Sequence, residues 1–167
     1  MAHLKERVLA IGHELGFDQV QIASLAPMVE EGLHYQHWLA QGYAADLAYL
    51  KRDPERRVTP GLTFPAAQSV IIVSVSYCSQ PPPIPDGSWG RVARYAVGRD
   101  YHPVIRSKLR DFCGLLEAEL GRKIARRPVT DDAALYEQAL ARRHGLGFVG
   151  KNSLVIGPKL SGSYNFI

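Results

Sequence analysis

The sequence predicts a layered domain of mixed class, α+β or α/β, and three observations carry that reading. Segments with apolar residues at helical spacing alternate with short runs of β-branched residues. One run, "SVIIVSVSY" (residues 69–77), is almost continuously apolar or β-branched, the pattern of a strand covered on both faces. The chain has 167 residues, 46% of them hydrophobic, with no internal repeat and no dividing linker, so it can bury one core.

Leu4, Val8, Ile11 and Leu15 fall on one side of a helix over residues 3–15, which Gly16 ends. "QVQIA" then alternates like a short strand. A second helix is predicted from Pro27, well placed in a first turn, to Gln41 ahead of Gly42. The strand at 69–77 leads to "PPPIPDG", a surface loop, because proline cannot donate to a ladder and Asp-Gly favours a turn. "RVARYA" reads as a strand. Ile105, Leu109, Phe112, Leu116 and Leu120 mark one face of a long helix starting near Pro103. "IARRPV" reads as a short strand and residues 133–144 as a helix, while "SLVIG" and "SYNFI" suggest two arms of a hairpin across "PKLSG".

Composition excludes several classes of protein. No stretch reaches the roughly 18 apolar residues of a membrane helix, and no signal-peptide apolar region opens the chain. A soluble, cytoplasmic protein without a membrane partner is expected. Cys78 and Cys113 are too few and too far apart for a disulfide framework or a metal centre, and read as reduced, mostly buried thiols. The net charge of +4 permits a polyanionic partner without demanding one. Basic residues cluster at Lys51, Arg52, Arg56 and Arg57, at Arg122, Lys123, Arg126 and Arg127, and at Arg142, Arg143 and Lys151. Each cluster alone reads as a solvated face; together they keep RNA binding open.

The stretch "GLGFVGKN" (residues 145–152) matches G-x-G-x-x-G and all but the last letter of the P-loop pattern. Both motifs need a strand before and a helix after, and the order here is reversed. Position 152 is Asn rather than Ser or Thr. Gly145 reads as a helix stop after Arg142, Arg143 and His144. Gly147 and Gly150 imply close passage of the backbone past a neighbour or a flat ligand.

Asp131 and Asp132 lie between a strand-like stretch and a helical one, where one can cap the helix and the other stand free as a general acid. "DPERRVTP" sets two arginines in a proline-bracketed loop, suited to carboxylate, phosphate or amide oxygens. Tyr101 and His102 sit at a helix entrance, and His102 reads as structural, because its sequence neighbourhood offers no orienting partner.

In their order, "LKRDPERRVTP", "FPAAQSVIIVSVSY", "VARYAVGRDYHPVIRSKL", "DDAALYEQALARRHGLGFVGKNSLVI" and "GSYNFI" resemble the N-terminal part of the epoxyqueuosine reductases, which complete queuosine in the anticodon of certain tRNAs. The resemblance implies a three-layer α/β/α, nitroreductase-like α+β fold, a mixed sheet flanked by helices, similar to reductive dehalogenases. It implies reduction of an epoxide to an alkene with cobalamin, fed by two [4Fe-4S] clusters and an external electron donor. Residues 1–167 then form the cobalamin-binding, catalytic N-terminal domain, with the ferredoxin-like domain absent from this chain.

By the match of "TDDAALYEQ" to the family's aspartate segment, Asp131 is the proton donor to the departing oxygen. Arg57, the backbone around Ala93, and Val155 match positions near the corrin, and Lys151 and Asn152 share that motif. Thr130, Ala134 and Gln138 depart from the commoner residues of the segment, which puts neighbouring substrate contacts in question. Asp132 replaces a usual Thr and adds a charge beside the acid, which suits a proton donor.

The resemblance therefore implies a monomeric tRNA-modifying reductase whose front part, taken alone, is inactive and binds cobalamin weakly or not at all. The end at Ile167, inside an apolar strand-like segment, reads as the front of something longer. Two other functions compete with it: a cobalamin or flavin reductase of a small molecule, and a non-catalytic RNA-binding module.

Overall fold

The computed structural model describes residues 2–77, 83, 86–87, 90–157 and 164–166, with backbone alone at 2 and 164–166. Helix α1 (Ala2–Glu14) leads to strand β1 (Gln19–Ala23) and helix α2 (Val29–Ala40). Three short helices follow, α3 (Ala48–Lys51), α4 (Pro54–Val58) and α5 (Pro60–Thr63), before strand β2 (Val70–Ser76). The long helix α6 (Tyr101–Leu120) and helix α7 (Glu137–Arg143) precede β3 (Phe148–Val149), β4 (Val155–Ile156) and β5 (Tyr164–Phe166). The five strands form one sheet in the order β1-β2-β5-β4-β3.

The core divides into two clusters because β2 alternates. Ile71, Val73 and Val75 face one way, toward Val8 and Ile11 of α1, Val20 of β1, and Phe112 and Leu116 of α6. Val70 and Ile72 face the other, toward Met28, Val58, Leu146, Val155 and the buried Ala139, Leu140 and Ala141 of α7. Each fully buried Ile or Leu contributes roughly 1.5–3 kcal/mol, so helices on both faces make β2 the centre of the fold. Ser74, only 1% exposed, shows that the middle of β2 is covered on both sides.

The first two helices, β1, β2, α6 and the β4–β5 pairing lie where the sequence places them. Four expectations change. Every described strand pairing is antiparallel, where a mixed sheet is expected. "RVARYA" is no strand: residues 91–96 are exposed along their whole length, with a single 3-10 turn at Arg94–Ala96, and no neighbour among the described residues offers a ladder. "IARRPV" is no strand either. Arg127 there donates a side-chain hydrogen bond to Thr63 O, and Pro128 has no N–H. The helix predicted over 133–144 begins only at Glu137. Cys78 and most of "PPPIPDG" and "PKLSG" lie outside the described residues. Cys113 is half-buried, which raises its thiol pKa.

Candidate active site

The start of α6 is set by Asp100. Its carboxylate accepts the N–H of His102 at 2.9 Å, capping the helix, and also lies 2.7 Å from Nδ1 of the His102 ring. Those two bonds, the backbone one first, hold the Asp100 carboxyl below its usual range. An ionised carboxylate only accepts, so Nδ1 carries the proton and Nε2 is the nitrogen left for other work. His102 therefore has an orienting partner two residues before it, contrary to the structural reading of its sequence neighbourhood.

Asp131 meets this helix end. Tyr101 donates its hydroxyl to Asp131 Oδ2 at 2.5 Å, and His102 Nε2 lies 3.5 Å from the same oxygen. The two rings stack, centroids 4.1 Å apart. Burial, then the hydrogen bond to Asp131, push the Tyr101 phenol well above its ordinary range, so it stays protonated as a donor. One turn along α6, Arg106 pairs with Asp132 Oδ2 at 3.1 Å, and Asp132 Oδ1 accepts the Thr130 N–H at 3.0 Å. The charge of Asp132 is thus committed to Arg106 and Thr130.

Neither aspartate caps α7, whose cap position is Tyr136. Residues 130–136 form an irregular loop between a buried Thr130 and the Tyr136 N–H, which donates to Arg57 O at 2.8 Å. Asp131 adopts a left-handed φ of 57°, and its side chain is 50% exposed. An aspartate in this region costs less than most residues but still carries strain, and such strain gathers at working sites. Next in line is Glu137, the first residue of α7. Its Oε1 is buried without a hydrogen-bond partner. Burial, then the nearby Asp131 charge, push its carboxyl up to about 8.

The remaining sequence-predicted residues are placed as follows. Arg57 donates from Nη2 to Tyr49 O at 2.8 Å and lies over the Tyr49 ring, while its buried Nε has no hydrogen-bond partner. Ala93 is exposed and opens the turn at Arg94. Lys151 is exposed in the β3–β4 turn, without an ion pair among the described residues. Asn152 Oδ1 accepts the Leu154 N–H at 3.3 Å, closing that turn. Val155 is 2% exposed, its side chain belongs to the core, and its strand β4 is paired on both sides, with β3 and β5. Arg57 connects to the Asp131 loop through Tyr136; Ala93, Lys151, Asn152 and Val155 share no hydrogen bond with Asp131.

The glycine motif is explained within the chain. Gly145 has φ 77° and donates to Arg142 O, while Leu146 N–H reaches Ala141 O, the paired bonds of a Schellman helix end. A Cβ on Gly147 would stand 2.3 Å from Ile156 O, so the close neighbour is β4 itself. A Cβ on Gly150 would meet Asn152 Oδ1 at 2.7 Å. The flat-ligand explanation of these glycines therefore gives way to strand packing.

A larger apolar cavity of about 720 Å³ lies between α6, β2 and residues 122–129, walled by Ile71, Ile105, Leu109 and Leu116. Glu137 reaches its lining, but Asp131, Tyr101 and His102 do not. No group of three or more His, Cys, Asp or Glu among the described residues has metal-binding geometry. No helix among them is long and apolar enough to cross a membrane. The basic clusters are largely engaged inside the chain. Lys123 and Arg126 pair with Glu117, Arg142 with Glu31, and Arg56, Arg127 and Arg143 donate to backbone carbonyls.

Sequence reasoning missed the Asp100–His102 pairing and Glu137. The Asp-x-His spacing at a helix entrance was a usable signal for the first. Glu137 falls within the matched "TDDAALYEQ" segment, but its burial depends on where α7 packs.

Comparison with known proteins bears on this arrangement. A family model described as epoxyqueuosine reductase QueG, DUF1730, matches residues 57–132, from Arg57 to the aspartate pair. An epoxyqueuosine reductase of Pseudomonas aeruginosa is 35% identical over 99% of this chain and 46% of its own length. Among solved structures, an epoxyqueuosine reductase with a tRNA-Tyr epoxyqueuosine-modified stem loop superposes with a TM-score of 0.82 at 29% identity, covering 99% of this chain and 44% of that one. An epoxyqueuosine reductase from Bacillus subtilis, with its catalytic aspartate loop swung out of the active site, gives 0.78 at 28% identity, over the same shares. The chain spans about half the length of the curated relatives it matches. An α+β fold like that of these enzymes is thereby established.

Proposed function

We propose, on the premise that the chain belongs to the epoxyqueuosine reductase family in sequence and fold, that it is the catalytic portion of an enzyme reducing epoxyqueuosine in tRNA to queuosine. One observation carries the assignment of the acid: Tyr101 and His102 converge on a single oxygen of Asp131. The Bacillus subtilis relative with its catalytic aspartate loop swung out of the active site supports the same assignment, since Asp131 stands in an irregular loop. Residues 1–167 are taken as one domain of nitroreductase-like, three-layer type.

Removing an epoxide oxygen to leave an alkene breaks two C–O bonds. It consumes two electrons and two protons and releases the oxygen as water. Asp131 donates a proton to the oxygen as the first C–O bond opens, and general acids so placed contribute typically 10²–10⁴-fold. Tyr101 and His102 orient the carboxyl from one side. His102, held through Nδ1 by Asp100, returns a proton from solvent to Asp131 through Nε2.

Cobalamin, when bound, supplies the electron pair at low-valent cobalt. The chain's residues fit such a group. The unpartnered Arg57 Nε and the exposed Lys151 ammonium are donors suited to amide oxygens on the rim of a corrin. Asn152 and the backbone at Ala93 complete the set. Iron–sulfur clusters do not fit here: each takes four thiolates and the chain has two cysteines, so no step is assigned to one. The protein is taken as cytoplasmic and monomeric, with an external electron donor and tRNA held by the remaining exposed cations such as Arg52, Arg122 and Lys151.

The test is Asp131→Asn in the intact enzyme with epoxyqueuosine-modified tRNA. Loss of reduction with unchanged salt-dependent tRNA binding supports the reading; normal reduction overturns the acid. Absence of tRNA binding in the unsubstituted enzyme points instead to a small-molecule reductase, and absence of a corrinoid absorption spectrum removes cobalamin.

A further inference from the structure

A left-handed backbone at a residue other than glycine persists only while its surroundings hold it. Asp131 is such a residue, with φ 57° in a loop without regular structure. The ends of the loop are tied to the short helices α4 and α5. Arg127 donates to Thr63 O, Thr63 Oγ1 to Ala134 O, and the Tyr136 N–H to Arg57 O. None of those bonds fixes the middle, where the loop meets α6 at two adjacent aspartates.

Asp131 reaches Tyr101 and His102 through one oxygen, a contact about which the carboxylate can turn. Asp132 uses both of its oxygens. Oδ1 accepts the Thr130 N–H at 3.0 Å, which closes a turn around Asp131, and Oδ2 pairs with Arg106 Nη2 at 3.1 Å. Thr130 is 1% exposed, so one end of that turn is fixed in the core. His102 and Arg106 are four residues apart and therefore neighbours on one face of α6. Adjacent residues of the loop thus meet adjacent turns of the helix. The first contact sets where the Asp131 carboxyl sits; the second sets how the backbone behind it is turned. Arg106 suits that task, because it is always charged and its buried Nε shows the guanidinium seated against the chain, with Nη2 directed to Asp132.

We propose that Arg106 and Asp132 are positioning residues, a clamp that fixes the turn at 130–132 on α6 and so keeps the Asp131 carboxyl against Tyr101 and His102. Asp132 then acts on the acid through the backbone they share, its own charge being answered by Arg106. The two side chains are 42% and 45% exposed, so the clamp is weak and screened by salt. Its bearing on reduction rests on Asp131 being the working acid, whereas its test reads the docking of the loop.

The experiment uses the intact protein labelled with fluorotyrosine. Fluorine NMR follows the Tyr101 peak, assigned with Tyr101→Phe, and Asp131→Ala marks its released position. Asp132→Asn keeps the shape and the acceptor for Thr130 but removes the charge. Arg106→Gln removes the charge from the other side, and Arg106→Lys keeps it. Asp132→Asn and Arg106→Gln are each expected to raise the ratio of released to docked loop about three- to fivefold, and the double variant no further. Arg106→Lys should raise it less. Raising NaCl from about 0.05 M to about 0.5 M should release the loop in the unsubstituted protein and have a smaller effect in the double variant. No release in either single variant, effects that add in the double variant, or equal release in Arg106→Lys and Arg106→Gln would each overturn the clamp. Unfolding of Asp132→Asn would make the pair a structural one and overturn it as well. None of these readouts depends on tRNA reduction, so normal reduction in Asp131→Asn would sink the acid and leave the clamp standing.

Discussion

Gly145 and Asp131 both take a left-handed backbone, φ 77° and 57°, but the two regions use it differently. At Gly145 the conformation ends α7, satisfies two helix carbonyls and feeds the chain toward β3, with no side chain in play. Gly16 and Gly121 end α1 and α6 by the same paired bonds. At Asp131 the conformation ends nothing. It lifts a carboxylate out of an irregular loop and against the first turn of α6, where Tyr101, His102 and, behind them, Asp100 hold it. Glycine is the low-strain solution wherever only the path of the chain matters. A left-handed aspartate is tolerated where the side chain must arrive at one place.

The largest effect expected from breaking this contrast is at the acid. Asp131→Asn keeps the backbone and the shape, so rates of tRNA reduction should fall about 10²–10⁴-fold, while thermal unfolding shifts little. Next comes the pH dependence carried by Glu137. Its carboxyl rises from an ordinary 4.5 to about 8 in the fold, so between those values the folded chain keeps a proton that the unfolded chain has lost. Stability from this group is complete below 4.5 and declines as pH rises toward 8, by an amount on the order of a few kcal/mol. Urea unfolding at several pH values should show that decline, and Glu137→Gln should flatten it.

Gly147→Ala puts a Cβ into the backbone of β4, and denaturant titration should show a loss of about 2–3 kcal/mol. Gly145→Ala meets no neighbour and carries only the left-handed penalty, about 1 kcal/mol by the same measurement. Asp131→Gly is the smallest change in stability, within about 1 kcal/mol, because relieved backbone strain and the lost Tyr101 bond oppose each other. It should nonetheless abolish activity. A large loss of stability in Asp131→Gly would mean that the loop, rather than its carboxylate, is what the strain maintains.

Much of this was legible because it is periodic or local. Val8, Ile11, Phe112 and Leu116 announce buried helix faces by spacing, and all four are in the core. Gly16 and Gly145 announce helix ends. "RVARYA" and "IARRPV" misled because β-propensity reports fitness for a pleated surface, and among the described residues neither segment has a neighbouring strand to supply one. His102 has its orienting partner two residues away at Asp100, while Asp131 comes within 3.5 Å of it only through the fold.

The sequence by itself determined the helices, the central strand, the glycine helix ends and the aspartate pair, since each depends on residues within one or two turns of each other. Only the tertiary structure decided which aspartate meets Tyr101 and His102, that Asp132 belongs to Arg106, and that the part-buried Glu137 carries a buried, unpartnered Oε1 next to the loop. Those relations join residues from separate elements, and burial, hydrogen bonding and charge acquire their values only once α6 and α7 are packed against the sheet.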